Sequence, residues 1–411
     1  MASEIIDRAG AGGATSRTDA SAVPGAPVSG AIGSAPTAAG SGASASETPA
    51  SDGSPSAGSA TGAVSGTARD PFLDNAKFLL IILVVVGHTW PMGLVEGSRT
   101  VKAAYLWITV FHMPAFILLS GYLSRGFTGR PAQVRRLLTG VLLPYLVFEA
   151  LYTGLQSLAW GRPFALTPTE PTFLCWFLAA LFIWRLTVPV WRAVPYAVPV
   201  TVVVSLVAGT TTMGYDLALP RVLMFLPWFV LGTRLRPEHF AWVRARRWPR
   251  RCAPPVLLAG GALAYAVAPG TDVHWLWMSY GQHALGAQLI PYLLVRAGLF
   301  ATGALMTAAF LALVPRRRLW LTALGAVTLY PYLLHGLLTT AAHAYGWDAP
   351  LRPLGPLGAV LLTVCGAGAA VLLSTAPVRR LARPLIEPRL PGLTRLRHRR
   401  RSPGTSEPRT A

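Results

Sequence analysis

The sequence predicts an all-α integral membrane protein of about ten transmembrane helices with both termini in the cytoplasm. Composition, the length of the apolar runs and the placement of arginines between them predict it. Hydrophobic residues make up 53% of the 411-residue chain and charged residues 13%, about half the charge of an ordinary soluble domain. The formal charge of +20 invites a nucleic-acid reading, but phosphate-binding domains gather Lys and Arg on one face, and here they separate apolar runs. No nucleic-acid partner is expected; the partner is the bilayer, and the location the cell membrane.

Apolar runs of spanning length lie near 76–95, 103–123, 137–158, 173–191, 193–213, 219–235, 253–269, 286–313, 319–346 and 355–376, judged against the ~20 residues a helix needs to cross. The fourth to sixth are short and interrupted by Pro189, Pro195, Pro199 and Pro227, which a span tolerates when neighbours satisfy the freed carbonyls. Residues 1–68 are Ala, Gly, Ser, Pro and Thr without apolar periodicity and read as a disordered tail with no secretory signal. Residues 69–378 form the membrane domain, and 379–411 a basic, disordered cytoplasmic tail.

Orientation follows from the connections, because short cytoplasmic loops carry the excess of Lys and Arg. The even-numbered connections hold sixteen, among them Arg125, Arg135, Arg136, seven arginines between Arg234 and Arg251, and Arg316 to Arg318. The odd-numbered ones hold five, Arg99, Lys102, Arg162, Arg221 and Arg352, and ten more arginines follow Val378. An even number of spans with cytoplasmic termini satisfies both counts. Cys175, Cys252 and Cys365 stand without CxxC or His spacing and read as apolar fillers, so neither a disulfide framework nor a metal site is expected.

The first run, LDNAKFLLIILVVVGHTW, carries Asp74, Lys77 and His88. At ~100° per residue His88 returns to within about 20° of Lys77, and Asp74 falls about 40° to the other side, so one stripe holds all three. The rise of ~1.5 Å per residue puts Lys77 at the cytoplasmic mouth and His88 about 16 Å further in. This suits an elongated ligand entering from the cytoplasm, its anionic end at Lys77 and its reactive end at His88. The bland alternative is a snorkelling lysine and a histidine that only packs. Against it, ionisable groups recur at His112, Glu149, Arg296 and His335, and such groups in a bilayer face polar cavities. In FHMPAFILLSGYL, Pro114 kinks the span while Ser120 and Gly121 permit close helix approach; in RRLLTGVLLPYLVFE, Glu149 follows Tyr145 by one turn. Glu149 either pairs with Arg296 structurally or holds a catalytic histidine in its tautomer.

Together with CWFLAALFIWRL and LYPYLLH, these segments, in this order over 73–335, resemble the membrane-bound acyltransferase 3 family, most closely its fucose 4-O-acetylase-like branch. The most telling element is a basic residue, ten intervening residues and a histidine, here Lys77 and His88, with lysine where the family often has arginine. The resemblance implies a ten-helix enzyme moving an acyl group, commonly acetyl from acetyl-CoA, onto a hydroxyl of a sugar, cell-envelope glycan, lipid-linked sugar or small metabolite. On that reading His88 is the general base or a transient acyl carrier, with Glu149 and His112 in the catalytic group. Lys77, Arg135 and Arg136 take the donor's phosphates, and Asp74, Ser120, Tyr145 and His335 bind substrate or support the site. A transporter or flippase is the alternative class, although the histidines at 88, 112 and 335 show no repeat between halves.

Overall fold

The computed structural model describes residues 69–388, and among them there are helices and turns but no strand. The tail reading of 1–68 and of 389–411 lies outside the described residues. The first helix, α1 (Pro71–Thr89), begins where the sequence says a helix should: Asp70 caps it, its carboxylate accepting from Phe72 N at 3.0 Å, and Pro71 occupies the first turn, where no donor is needed. There follow α2 (Arg99–Ser124), α3 (Pro131–Trp160), α4 (Phe173–Ala193), α5 (Ala197–Thr210), α6 (Leu219–Met224), α7 (Leu226–Arg234), α8 (Trp248–Gly270), α9 (Leu289–Leu313), α10 (Leu329–Ala344), α11 (Pro356–Leu373) and α12 (Ala376–Ile386).

Every expected apolar run is helical, but the runs do not all become full spans. Seven of the described helices are long and apolar enough to cross a bilayer, and the bent pair Asp216–Met224 and Leu226–Arg234 would make an eighth. That pair bends by 58° at Phe225 because Pro227 has no N–H to give the carbonyl four residues back. The fifth run yields only the 14-residue α5, which starts after Tyr196 in a left-handed conformation. The ninth run divides. Asn75 on α1 donates to the carbonyls of Pro315 and Arg317 at 2.9 and 3.0 Å and accepts from Thr322 at 2.6 Å, pinning that connection beneath α1. Gly325 then lies against the Asp74 backbone, where a Cβ would not fit, and α10 begins only afterwards. Arg185, counted as a loop charge, lies well inside α4, and Arg221, counted likewise, is buried in α6, so neither marks a connection.

Two local devices shape the bundle. Pro144 denies Gly140 its helical partner, and α3 absorbs this as a π-turn at Leu138–Leu142, with Leu143 N reaching back to Leu138 O. Gly121 on α2 and Gly232 on α7 let two backbones meet, since a Cβ on either would strike the facing carbonyl of Phe229 or Leu118. Lipid offers no hydrophobic drive for helix association, so such small-residue contacts and polar cross-links hold the spans together. Trp184 Nε1 donates to Val222 O at 2.9 Å, Trp90 Nε1 to Ala359 O at 3.1 Å, and Trp184 stacks on Phe229 with centroids 5.3 Å apart. α1 lies among α2, α10 and α11. The boundary expected at 378 falls inside α12, an amphipathic helix that buries Ala382 and Ile386 and exposes Arg380 and Arg383, the pattern of a helix lying at a membrane surface.

Candidate active site

His88 sits in the last turn of α1, partly exposed, and no hydrogen-bond partner holds its ring among the described residues. Two rings flank it instead. His335 from α10 lies with its centroid 5.5 Å away, and Phe173 meets it edge-on at 5.4 Å. His112 and Arg221 also lie within electrostatic reach. The structure thus brings His88 and His335 together from two separate spans.

The tautomers of two of these histidines are readable. Nδ1 of His335 is 2.7 Å from Pro331 O and Nδ1 of His112 is 2.9 Å from Ile108 O. A carbonyl only accepts, so in each ring Nδ1 carries the proton and Nε2 is the basic nitrogen. Nε2 of His335 is fully enclosed and has no partner among the described residues. No such contact fixes His88, which is free to take either proton arrangement.

Glu149 reaches this locus indirectly. Both its oxygens accept from Thr172 N, at 3.0 and 2.9 Å, and Thr172 precedes Phe173, which adopts a left-handed φ of 50°. The carboxylate therefore holds the turn that presents the Phe173 ring to His88, a strained conformation of the kind that collects at functional sites. Tyr145, one turn earlier, donates to Pro168 O and ties down the same segment. The Glu149–Arg296 pair weighed from sequence does not form: Arg296 donates instead to Tyr292 at 3.0 Å, Trp275 O at 2.7 Å and Tyr280 O at 2.8 Å. Ser120 donates to Phe116 O within its own helix at 2.8 Å.

At the other end of α1, Lys77 Nζ is 2.8 Å from Asp74 Oδ1, and the lysine side chain is one-fifth exposed. Asp74 is buried, so a donor phosphate at Lys77 has to join this pair rather than displace the carboxylate. Arg135 and Arg136 are exposed at the start of α3, and among the described residues no hydrogen bond or ion pair joins their side chains to the α1 stripe.

Several residues of this region escaped the sequence reading. Arg221, counted as a loop charge, is buried against Trp176 and donates to Trp277 O at 3.1 Å and Tyr215 at 2.5 Å. His343 in the last turn of α10 and Asp348 just beyond that helix face each other at 3.3 Å. The signal for His343 was present: His335, Thr339 and His343 recur every fourth residue, along one ridge of a helix. Among the described residues no group of three or more His, Cys, Asp or Glu could hold a metal ion.

The family model described as an acyltransferase domain matches residues 70–379. Among curated proteins, the nodulation protein NolL of Mesorhizobium japonicum is 33% identical over 126 residues, which is 28% of this chain and 34% of that protein, so the match spans about a third of the relative's length. No solved structure matches. The matched residues 70–379 contain the His88 locus, the Lys77 end of α1 and all the helices between, and on that match the chain belongs to the membrane-bound acyltransferase 3 family.

Proposed function

We propose that the chain transfers an acyl group, acetyl in the first instance, from acyl-CoA to a hydroxyl of a sugar, cell-envelope glycan or other small acceptor in the cell membrane. The observation that carries this reading is His88: a histidine without a partner, partly open, beside a second histidine and on the same helix stripe as Lys77. An alcohol is a weak nucleophile at neutral pH. His88 takes its proton as the hydroxyl oxygen bonds to the thioester carbon, and the carbon–sulfur bond then breaks with the proton passing to the departing CoA thiolate. Phe173 and His335 flank the imidazole and limit its rotation.

The arginine distribution supports a cytoplasmic Lys77 end, which is where CoA is available. Lys77 takes a phosphate of the donor, and Arg135 and Arg136 supply further positive charge at the same face. Glu149 and Tyr145 serve as positioning residues through the segment before Phe173.

Purified protein in detergent, mixed with labelled acetyl-CoA and candidate acceptors, is expected to release CoA and label an acceptor. His88→Ala should lower turnover by at least ~100-fold, the usual scale for loss of a general base, with detergent melting unchanged. Near-normal turnover in that folded variant would refute the assignment.

A further inference from the structure

A cavity of about 200 Å³ lies between the C-terminal end of α1, α10 and α11, lined by Thr89, His335, Thr339, His343, Trp347 and Asp348 together with apolar side chains. It adjoins the His88 locus, since His343 Nε2 is 3.4 Å from His88 O and His335 belongs to both. Three polar atoms without a hydrogen-bond partner among the described residues belong to residues of its lining, each covered by neighbouring atoms: His335 Nε2, His343 Nδ1 and Asp348 Oδ1. His335 and Asp348 are themselves buried, at 0% and 3% exposure. Buried polar atoms are normally satisfied, so a concentration of exceptions in one cavity points to a ligand.

The chemistry of those atoms selects the ligand. His335 Nε2 is a lone pair, because Nδ1 carries the proton, and Asp348 Oδ1 belongs to an acceptor group, so what enters must donate. Asp348 Oδ2 already holds Arg352, at 2.8 Å to Nη2 and 2.9 Å to Nε, and faces His343 Nδ1 at 3.3 Å, too poorly aligned to be a hydrogen bond. With its charge offset in this way, and the remaining walls apolar, the cavity gives a full charge nothing that repays its desolvation. Water satisfies such groups, and a hydroxyl displaces water while reproducing its bonds. The volume is that of roughly six or seven waters at ~30 Å³ each, the bulk of one sugar-like ring.

We propose that this cavity is the acceptor pocket, and that it takes an uncharged group with at least two hydroxyls, which donate to His335 Nε2 beside His88 and to Asp348 Oδ1 as the side chains covering those atoms move aside. This rests on the acyl-transfer reading above. Leu338 and Cys365, both at the cavity, are exposed on the outer faces of α10 and α11, so such a group can arrive free in water or carried on a lipid-like chain.

The test uses the full chain in an amine-oxide detergent, with saturation-transfer NMR on methyl glucoside, on octyl glucoside and on octanoate as the anionic control, and acetyl-CoA binding measured on the same preparation. Both glucosides are expected to bind and octanoate not to. Asp348→Leu, which removes the acceptor at similar size, and Ala342→Leu, which fills the cavity, should each weaken the glucosides at least ~5-fold, the equivalent of one lost hydrogen bond, while acetyl-CoA binding persists. Trp347→Ala, at an exposed wall, replaces either variant that does not fold. Tighter binding of octyl than methyl glucoside identifies a membrane-borne acceptor, and equal binding a soluble one. Absence of glucoside binding to the wild type, affinity unchanged in the variants, or competition by octanoate overturns the pocket. If acetyl-CoA also fails to bind the wild type, the acyl-transfer reading falls with it; if only the glucosides fail, the pocket assignment alone does.

Discussion

A single lysine tests whether the α1 stripe is a donor path. Lys77→Ala should raise the apparent KM for acetyl-CoA, leave the acceptor KM nearly unchanged and reduce kcat less than loss of His88 does. Lys77→Arg should retain most function, because charge and approximate reach remain. Steady-state kinetics showing an unshifted donor KM for Lys77→Ala would return the lysine to a partner of Asp74 and nothing more. Glu149 poses the opposite case, a carboxylate acting through backbone. Glu149→Gln keeps an oxygen for Thr172 N and should preserve turnover, whereas Glu149→Ala leaves that N–H unsatisfied and should cost about 1–3 kcal/mol of stability together with turnover. A Gln variant as inactive as Ala, with normal melting, would show that the charge itself is used. That Lys77 and His88 share one helix was legible from the run that holds both, and ~100° per residue decides what shares a face of it. Thr172 as the partner of Glu149 was not legible, because it comes from a separate segment.

Among elements, the closest approach is α2 against α7. Gly232→Ala places a Cβ on the Leu118 carbonyl, a backbone atom that cannot swing aside, and should destabilise the protein by about 1–3 kcal/mol, read as a lower detergent melting temperature. Gly93→Ala, whose Cβ meets nothing within 4 Å, is the matched control and should leave melting unchanged or slightly raised. Equal behaviour of the two would mean that the helices part freely at that contact. The small pair Ser120 and Gly121 announced a contact in the sequence, but not its partner. Element boundaries failed where a side chain on one run captured another: Asn75 draws residues 315–322 beneath α1 and so shortens the ninth run. Pro227 was visible as an interruption, and the 58° bend is its consequence.

At the scale of the whole molecule the arginine count makes a topological prediction. In a cysteine-free background, single cysteines at Gly97 and Asp272 should react with an impermeant thiol reagent from outside intact cells, and ones at Gly129 and Glu238 only after permeabilisation. Reversed labelling would overturn the orientation and the cytoplasmic donor path with it. Composition and run length by themselves determined a multi-pass helical membrane protein, because solvent preference and helical phase are local properties that a linear string carries; the family was legible only through the resemblance carried by the ordered motifs over 73–335. Which spans meet was decided only in three dimensions. His335 beside His88, Phe173 turned onto that ring by Glu149, and Asp348 buried against His343 and Arg352 join residues brought together by turns and helix packing. In a bilayer those contacts depend on the shape of small residues and on individual hydrogen bonds rather than on hydrophobicity, which is the same on every lipid-facing surface and therefore leaves no pattern from which partners can be read.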